Sequence, residues 1–244
     1  MRYLLLSDIH SNLEAFEAVL DDAGPVDQIW CLGDVVGYGP DPNACVELLR
    51  SLPHRCIAGN HDWATLGKLD LNDFNSDARE ANLWNRKQLT PKNLAYLSDL
   101  PQVLKEKPFT LVHGSPRHPI WEYIIYASTA EANFAHFDTS FCCVGHTHTP
   151  VIFRLSDQSE EKTCEPVPIP LDEPVSLGPD RLIINPGSVG QPRDGNPQAS
   201  YALIDREALM VEHRRVAYPV EETQAKMLKH KLPLRLVVRL GYGW

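Results

Sequence analysis

The sequence predicts an α/β fold. Short apolar runs typical of buried strands alternate with stretches whose apolar residues repeat at helical spacing. Almost every such run is followed by a glycine together with aspartate, asparagine or histidine. At 244 residues the chain lies in the range of one domain, so we expect a single domain over 1–244. Its polar motifs should gather at the carboxyl ends of strands, where open α/β sheets bind ligands.

The first unit is a strand, a polar loop and a helix. Residues 3–7 predict a buried strand, which Asp8 and His10 follow directly. On an extended segment, side chains at i and i+2 point the same way, so both should reach one ion. Ser11 and Glu14 fit a capping box that begins a helix. Alone, Asp-x-His is also typical of a turn aspartate beside an incidental histidine.

The second unit repeats this plan. Residues 28–32 predict a strand, and Gly33 and Asp34 follow it. Asp41 and Pro42 are typical of an N-cap and the first helical position. The two carboxylate oxygens of Asp34 suit a bridge between two cations. Taken alone, however, a Gly-Asp pair favours a plain turn.

The third unit carries the motif Gly59-Asn60-His61-Asp62 after a strand predicted at 55–58. Asn60 offers a neutral carbonyl oxygen that can ligate a metal without adding charge. His61 can face the substrate as a proton donor, because imidazole titrates near neutral pH. The alternative for these four residues is a turn with a capping aspartate.

Two further motifs follow strands predicted at 109–112 and 141–144. The first is His113 with Gly114, and the second contains His146 and His148. A lone histidine after a strand is more often structural, and His-x-His recurs in unrelated metal proteins. The two histidines should share a face in extended geometry, so that one serves each ion. Five such motifs, each ending a predicted strand, together favour a metal site.

The remaining segments complete the predicted fold. Residues of about 63–100 predict a polar helical insert, which either shapes the site or is a plain solvated surface. Thr90 and Pro91 should start a short helix within it. The segment 236–244 either packs on the core or joins a partner subunit. The other predictions are strands at 151–155 and 181–184, an irregular or hairpin excursion at 156–179, a hairpin over 199–205 and 208–216, and a helix at about 219–232.

Composition narrows the function classes. The net charge of −9 and a pI near 5.5 disfavour a long nucleic-acid surface, although bound cations would still attract a short nucleotide. The six cysteines include no Cys-x-x-Cys pair, which indicates reduced thiols rather than a zinc ribbon. We see no signal-peptide pattern and no apolar run of membrane-spanning length. We therefore expect a cytoplasmic protein without a membrane partner.

In chain order the motifs read D-x-H, G-D, G-N-H-D, H-G and G-H-T-H. This order resembles the calcineurin-like metallophosphoesterase superfamily from residue 3 to about residue 205. Segments 113–117, 121–123 and 185–193 are similar to a group of small bacterial and archaeal predicted phosphodiesterases. The resemblance implies a four-layer α/β/β/α sandwich with two mixed β-sheets. It shows no departure in the ligand motifs.

The resemblance also implies a role for each motif residue. It implies that Asp8, His10 and His148 hold one ion, that Asn60, His113 and His146 hold the other, that Asp34 bridges them, and that His61 is the general acid. Mixed nitrogen and oxygen donors suit two divalent ions of Mn, Fe, Zn, Co or Ni, with Mn favoured. Two such ions allow in-line attack on phosphorus by a hydroxide held between them, without a serine or cysteine nucleophile.

Substrate contacts are predicted from loops near these motifs. A guanidinium of Arg117 or Arg193 can clamp a phosphate oxygen, and Tyr38 or Trp121 can stack on a base or aromatic group. Asn12, beside the first motif, completes the candidate set. A structural or surface role is an equal alternative for each of these residues.

The expected function is a binuclear metal-dependent phosphodiesterase. The same ligands would serve a phosphomonoesterase such as a protein phosphatase, or a dinucleoside polyphosphate hydrolase. A metal-poor scaffold is a third alternative, and the intact histidine motifs oppose it. The expected partner is a small phosphate ester or nucleotide, and a homo-oligomer is possible.

Overall fold

Two six-stranded sheets form the centre of the molecule. The computed structural model describes residues 1–156 and 163–244. Within these ranges the strands are β1 (Arg2–Leu6), β2 (Gln28–Cys31), β3 (His54–Cys56), β4 (Val103–Glu106), β5 (Phe109–Val112), β6 (Phe141–Cys143), β7 (Val151–Ser156), β8 (Thr163–Val167), β9 (Pro174–Ser176), β10 (Arg181–Asn185), β11 (Ala199–Asp205) and β12 (Met210–Val216).

Helices flank the sheets. In the described part of the chain they are α1 (Leu13–Ala23), α2 (Pro42–Ser51), α3 (Asn60–Leu66), α4 (Ser76–Gln88), α5 (Pro91–Ser98), α6 (Ala127–Asn133), α7 (Val220–Lys229) and α8 (Leu234–Arg239), with short 3₁₀ turns at Leu71–Asp73 and Phe134–His136.

Both sheets are mixed. The first has the order β3-β2-β1-β11-β12-β9, in which β1, β2 and β3 run parallel and the remaining neighbours are antiparallel. The second has the order β4-β5-β6-β10-β7-β8, with β5, β6 and β10 parallel. The site-bearing loops follow the parallel strands of each sheet.

Successive side chains of a strand point to opposite faces of its sheet, and this alternation defines the layers. In β1, Leu4 and Leu6 pack against helices α1 and α2, whereas Tyr3 and Leu5 face the second sheet. In β6, Cys142 packs toward helix α6 on the far side of the second sheet. Three apolar cores therefore separate four layers, and the predicted α/β/β/α sandwich with two mixed sheets is confirmed.

The first helix begins one residue later than the capping-box pattern predicts. Its N-cap is Asn12, whose Oδ1 accepts from the amide of Ala15 at 3.2 Å. The Ser11 hydroxyl instead donates to Asn85 on α4 at 2.6 Å. Glu14 accepts from Thr223 at 2.8 Å rather than closing a capping box. These tertiary partners outweigh the local pattern.

The polar insert is helical, as predicted. Helices α3, α4 and α5 occupy most of it, and the Thr90 hydroxyl caps α5 by accepting from the amide of Asn93 at 3.3 Å. Strand β4 and helix α6 were not predicted. Two of the four β4 residues are charged, and α6 has only seven residues, so neither offers a clear apolar period.

The segment after β7 contributes one strand to each sheet. Strand β8 pairs with β7 in the register Ile152↔Val167, whereas β9 pairs with β12 in the register Val211↔Val175. The hairpin interpretation therefore holds for β7 and β8, although the connection at 157–162 lies outside the described residues. Strand β9 extends the first sheet.

The C-terminal segment packs on the core. Leu236, Val237 and Leu240 are buried in one cluster with Tyr38, while Trp244 remains 63% exposed. Within the described part of the chain, no helix combines the length and apolar character that a membrane span requires. The six cysteines are free thiols, five of them buried.

Candidate metal centre

The predicted ligands converge at one end of the two sheets. They lie in the loops after β1, β2 and β3 of the first sheet and after β5 and β6 of the second. The motifs thus gather at the carboxyl ends of strands, but those strands do not belong to one sheet. The structure divides the supply between two facing sheets, so the site lies at the end of the sandwich.

The loop backbones depart from the extended geometry that the i, i+2 argument assumed. Left-handed φ values between 51° and 65° occur at Asp8, His10, Asp34, Tyr38, His146 and His148. Non-glycine residues rarely adopt this conformation. The expectation of extended pairs was therefore wrong. The left-handed turns aim Asp8 and His10 at one cluster, but send His146 and His148 to different clusters.

Two glycines allow the second and third loops to touch. A side chain at Gly33, whose φ is +91°, would lie 2.6 Å from the backbone nitrogen of Gly59. A side chain at Gly59 would in turn collide with the Asp34 carboxylate. Both positions need glycine because the loops approach each other at backbone distance.

The first donor cluster consists of Asp8, His10 and His148. The Nε2 atoms of the two histidines lie 3.1 Å apart, and Asp8 Oδ1 lies 3.2 Å from His148 Nε2. The outer Nδ1 atoms lie 3.2 Å from the Val36 carbonyl and 2.6 Å from the Gln191 carbonyl. Because each Nδ1 donates to a carbonyl, both Nε2 lone pairs point inward.

The second donor cluster consists of Asn60, His113 and His146. His113 Nε2 lies 3.1 Å from Asn60 Oδ1 and 3.2 Å from His146 Nδ1. The outer ring nitrogens contact the carbonyls of Leu32 at 2.7 Å and Trp121 at 3.2 Å. His146 therefore presents Nδ1 inward, whereas the other clustered histidines present Nε2.

Asp34 lies between the two donor clusters. Its Oδ2 is 3.4 Å from His113 Nε2 and 3.7 Å from His10 Nε2. Its Oδ1 accepts from the backbone amide of His61 at 2.8 Å, which fixes the carboxylate. A single oxygen thus faces donors of both clusters, the position that the bridging role requires.

The donor chemistry fits cations. Among residues 1–156 and 163–244, no protein group hydrogen-bonds Asp8 Oδ1 or Asp34 Oδ2, although both atoms are buried. Buried carboxylate oxygens without partners are costly, and the inward Nε2 lone pairs of His10 and His148, 3.1 Å apart, repel each other. A divalent ion in each cluster would satisfy both sets of atoms.

The site electrostatics favour this donor set. Burial opposes ionisation of Asp8 and Asp34, but the nearby histidines outweigh it and hold both pKa values below the ordinary range. Burial and the charge of Arg193 lower the pKa of His148 to about 4. His113 differs: burial lowers its pKa, but Asp34 outweighs this and raises it to about 10. A cation would displace that proton.

His61 lies beside the clusters with one nitrogen held. Its Nδ1 lies 3.1 Å from Asn82 Oδ1 on α4, and its ring centre is 4.9 Å from that of His10. Among the described residues, its Nε2 has no hydrogen-bond partner. Burial lowers the pKa of His61 to about 3, so the negative charge of a bound phosphate is needed to favour the protonated form.

Sequence reasoning missed two polar residues that build the site, Asn82 and Asn85, and considered Asp62 only as a capping residue. Asp62 accepts from the amides of Asp34 at 2.8 Å and Gly59 at 2.9 Å, joining the second and third loops. Asn85 accepts from the Gly37 amide at 3.1 Å, and Asn82 holds His61. Asn82 and Asn85 are fully buried on the polar helix α4. No signal in the sequence marked these two asparagines, because polar residues at this spacing are ordinary on an exposed helix face.

Four of the five predicted substrate contacts fall into two pairs. Tyr38 lies with its ring centre 4.6 Å from that of His10, and Arg193 Nη2 donates to the Tyr38 hydroxyl at 3.3 Å. The Asn12 amide instead caps α1 and donates to the Gly190 carbonyl at 2.9 Å. The guanidinium of Arg117 pairs with Glu122, with Nε 2.9 Å from both carboxylate oxygens. The first pair therefore borders the donors. The fifth candidate, Trp121, does so as well, with its ring centre 6.2 Å from that of His146.

The chain is similar in sequence and fold to known proteins. A model of the calcineurin-like phosphoesterase superfamily domain matches residues 1–208. A crystal structure of a metallophosphoesterase from Sphaerobacter thermophilus is 50% identical with a TM-score of 0.91, covering 100% of this chain and 99% of that chain. An uncharacterised protein of Methanocaldococcus jannaschii is 40% identical over 246 residues, covering 98% of this chain and 97% of that protein.

A more distant relative has a named activity. Phosphodiesterase YfcE of Escherichia coli K12 is 27% identical over 224 residues, covering 86% of this chain and 91% of that protein. With the family match over most of the chain, the protein belongs to the calcineurin-like phosphoesterase superfamily. It is a metallophosphoesterase, an enzyme that hydrolyses phosphoric esters.

Proposed function

We propose that the protein is a phosphodiesterase that works with two divalent metal ions, with Mn²⁺ as the favoured metal. The observation that carries the proposal is the pair of inward-facing donor clusters with Asp34 Oδ2 between them. Bound ions neutralise phosphoryl charge and activate water for attack on phosphorus. The named activity of the YfcE relative supports the diester over the monoester.

The residues of this chain have separate tasks in that reaction. The first donor cluster and Asp34 would hold one ion, and the second donor cluster and Asp34 the other. His61 would give a proton to the leaving oxygen from Nε2, while Asn82 keeps its ring in place. Arg193, steadied by Gln191 at 2.9 Å, would bind a non-bridging phosphate oxygen.

Location and substrate size belong to the same proposal. Free, mostly buried thiols suit the reducing cytoplasm, and the net charge of −9 disfavours a long nucleic acid. We therefore propose a cytoplasmic enzyme acting on a small phosphate ester.

The test compares bis-p-nitrophenyl phosphate with p-nitrophenyl phosphate. The protein is stripped with a chelator and assayed before and after reloading with Mn²⁺. We expect turnover only after reloading, with a higher kcat/KM for the diester. A higher kcat/KM for the monoester would replace the phosphodiesterase with a phosphatase. A His146→Ala variant should be inactive, and His136→Ala, which removes an exposed histidine, is the matched control.

A further inference from the structure

Three aromatic side chains border the metal centre on one side. Phe74 precedes α4, and Trp121 and Tyr123 lie in the loop between β5 and α6; we call these three rings the aromatic arc. The Phe74 ring centre lies 5.2 Å from that of His61 and 4.9 Å from that of Trp121. Tyr123 stacks on His146 at 3.9 Å with 25° between the ring planes. The arc therefore reaches from the proposed acid to the second donor cluster.

Part of the ring surface of the aromatic arc is accessible to solvent. Tyr123 is 43% exposed, and Phe74 and Trp121 are half-buried. Neither Trp121 nor Tyr123 belongs to the buried apolar clusters. Large rings held beside a polar site without full burial indicate a surface that binds something apolar and planar.

The loop that carries two of the rings is firmly anchored. Glu122, between Trp121 and Tyr123, accepts from Arg117 and from the Asn133 amide at 2.8 Å. The Trp121 carbonyl contacts His146 Nε2 at 3.2 Å. The rings are thus held in place before any substrate binds, which reduces the entropy lost on binding. This anchoring also gives Arg117 a task away from the phosphate.

We propose that the aromatic arc binds the nucleoside part of the substrate, so that the ester cleaved is that of a nucleotide. This inference rests on the proposed function, because the phosphate must lie at the donor clusters. The arc begins at His61, the side on which the leaving oxygen would receive its proton. Its members are uncharged, and their faces suit stacking on a base. The arc is also wider than a single six-membered ring, which favours a base with its sugar over a phenol.

The test uses two ligands that differ only in the base. The full chain loaded with Mn²⁺ is titrated by calorimetry with adenosine 5′-monophosphate and with ribose 5-phosphate. Stacking on aromatic side chains contributes about 1–3 kcal/mol per base, so we expect the nucleotide to bind about tenfold tighter or more. Equal affinities would overturn the proposal.

Matched variants test whether the side chains of the arc cause the preference for the nucleotide. Phe74→Leu and Tyr123→Leu keep apolar bulk but remove the π faces at the two ends of the arc, and each should reduce the preference severalfold. Tyr126→Leu is the control, because this 70% exposed ring lies in the same loop without a ring contact to either histidine. A preference that survives both arc variants would overturn the assignment. So would O-phosphotyrosine binding as tightly as the nucleotide.

Failure of this inference can be separated from failure of the proposed function. The same preparations are assayed with bis-p-nitrophenyl phosphate. Metal-dependent turnover without a base preference would reject the arc and leave the phosphodiesterase. A base preference without turnover of any diester would reject the phosphodiesterase and leave nucleotide binding by the arc.

Discussion

The first donor cluster contains a carboxylate of its own, Asp8, whereas the second contains the neutral amide of Asn60 in the corresponding place. With Asp34 shared, one ion would face two carboxylates and the other only one. The histidine content is equal, so charge is the main difference. We therefore expect the ion of the first cluster to bind more tightly. Two sites built from adjacent loops can thus differ in how readily they lose their metal.

The largest effect is expected where the two clusters meet. Asp34→Ala removes the carboxylate that lies between them, so both ions should be lost. Several kcal/mol of charge stabilisation correspond to a loss of about 10³-fold or more in kcat/KM. Activity on bis-p-nitrophenyl phosphate and metal content measure this, with Asp21→Ala on the exposed face of α1 as the control. Full activity with two bound ions would contradict the shared role.

Exchanging the charged and neutral donors tests the asymmetry directly. In the wild type, a chelator titration should remove the two Mn²⁺ ions in separate steps. Asp8→Asn should weaken the tighter site by more than about 100-fold, since even outer-shell changes cost 10–100-fold. Asn60→Asp should instead tighten the weaker site and bring the two steps together. A single step in the wild type would show that the clusters are equivalent.

Variants that affect His61 test proton transfer separately from metal binding. His61→Ala should lower kcat about 10²-fold or more for esters of aliphatic alcohols and much less for p-nitrophenyl esters, because a good leaving group needs little protonation. Asn82→Leu should have a smaller effect of the same kind, about tenfold, from the loss of one hydrogen bond. Metal content should remain at two ions in both variants. Equal losses for both leaving groups would remove the acid role.

The last effect is on stability rather than on activity, and it concerns the support of the first cluster. His213 bonds the Ser200 hydroxyl at 2.8 Å, Ser200 donates to the Pro186 carbonyl, and Ser188 in the same turn bonds the Asp8 carbonyl. Burial and Arg215 lower the pKa of His213 to about 4 from an ordinary value near 6.5. The neutral form is therefore favoured in the fold, and its contribution is complete above pH 6.5.

That contribution is lost as the pH falls from 6.5 toward 4, where the unfolded state binds the proton more tightly. The loss amounts to about 3 kcal/mol at most. Urea unfolding at pH 7.5 and pH 5 should show a smaller pH dependence for His213→Gln than for the wild type. An unchanged dependence would exclude His213 as a source of the acid sensitivity.

Local motifs explain why the candidate donors could be found from sequence. Four of the donors lie within a few residues of a strand end: Asp8, Asp34, Asn60 and His113. An apolar run followed by a polar residue was therefore enough to identify them in the sequence. Most strand positions, the short helix after Thr90 and the hairpin of β11 and β12 followed from similar local patterns. Their assignment to two sheets came from the family resemblance, because strand pairing is a long-range property.

Contacts across the chain could not be predicted in the same way. Asn82 and Phe74 reach His61 only because α4 folds back over the third loop, and nothing in their local sequence marks this. Asn12 replaces Ser11 as the cap because Asn85 recruits the serine hydroxyl. The left-handed turns at His146 and His148 also depend on neighbouring loops, since histidine alone prefers other conformations.

These left-handed turns lower the stability of the fold, although the metal centre needs them. Each non-glycine residue held in such a backbone conformation costs on the order of 1–3 kcal/mol, and most of those named above are themselves candidate donors. Directed evolution for a higher melting temperature alone would therefore favour glycine at these positions, and it would reach heat-resistant variants that have lost the donor side chains themselves. A screen that couples heating with hydrolysis would be needed to keep both properties.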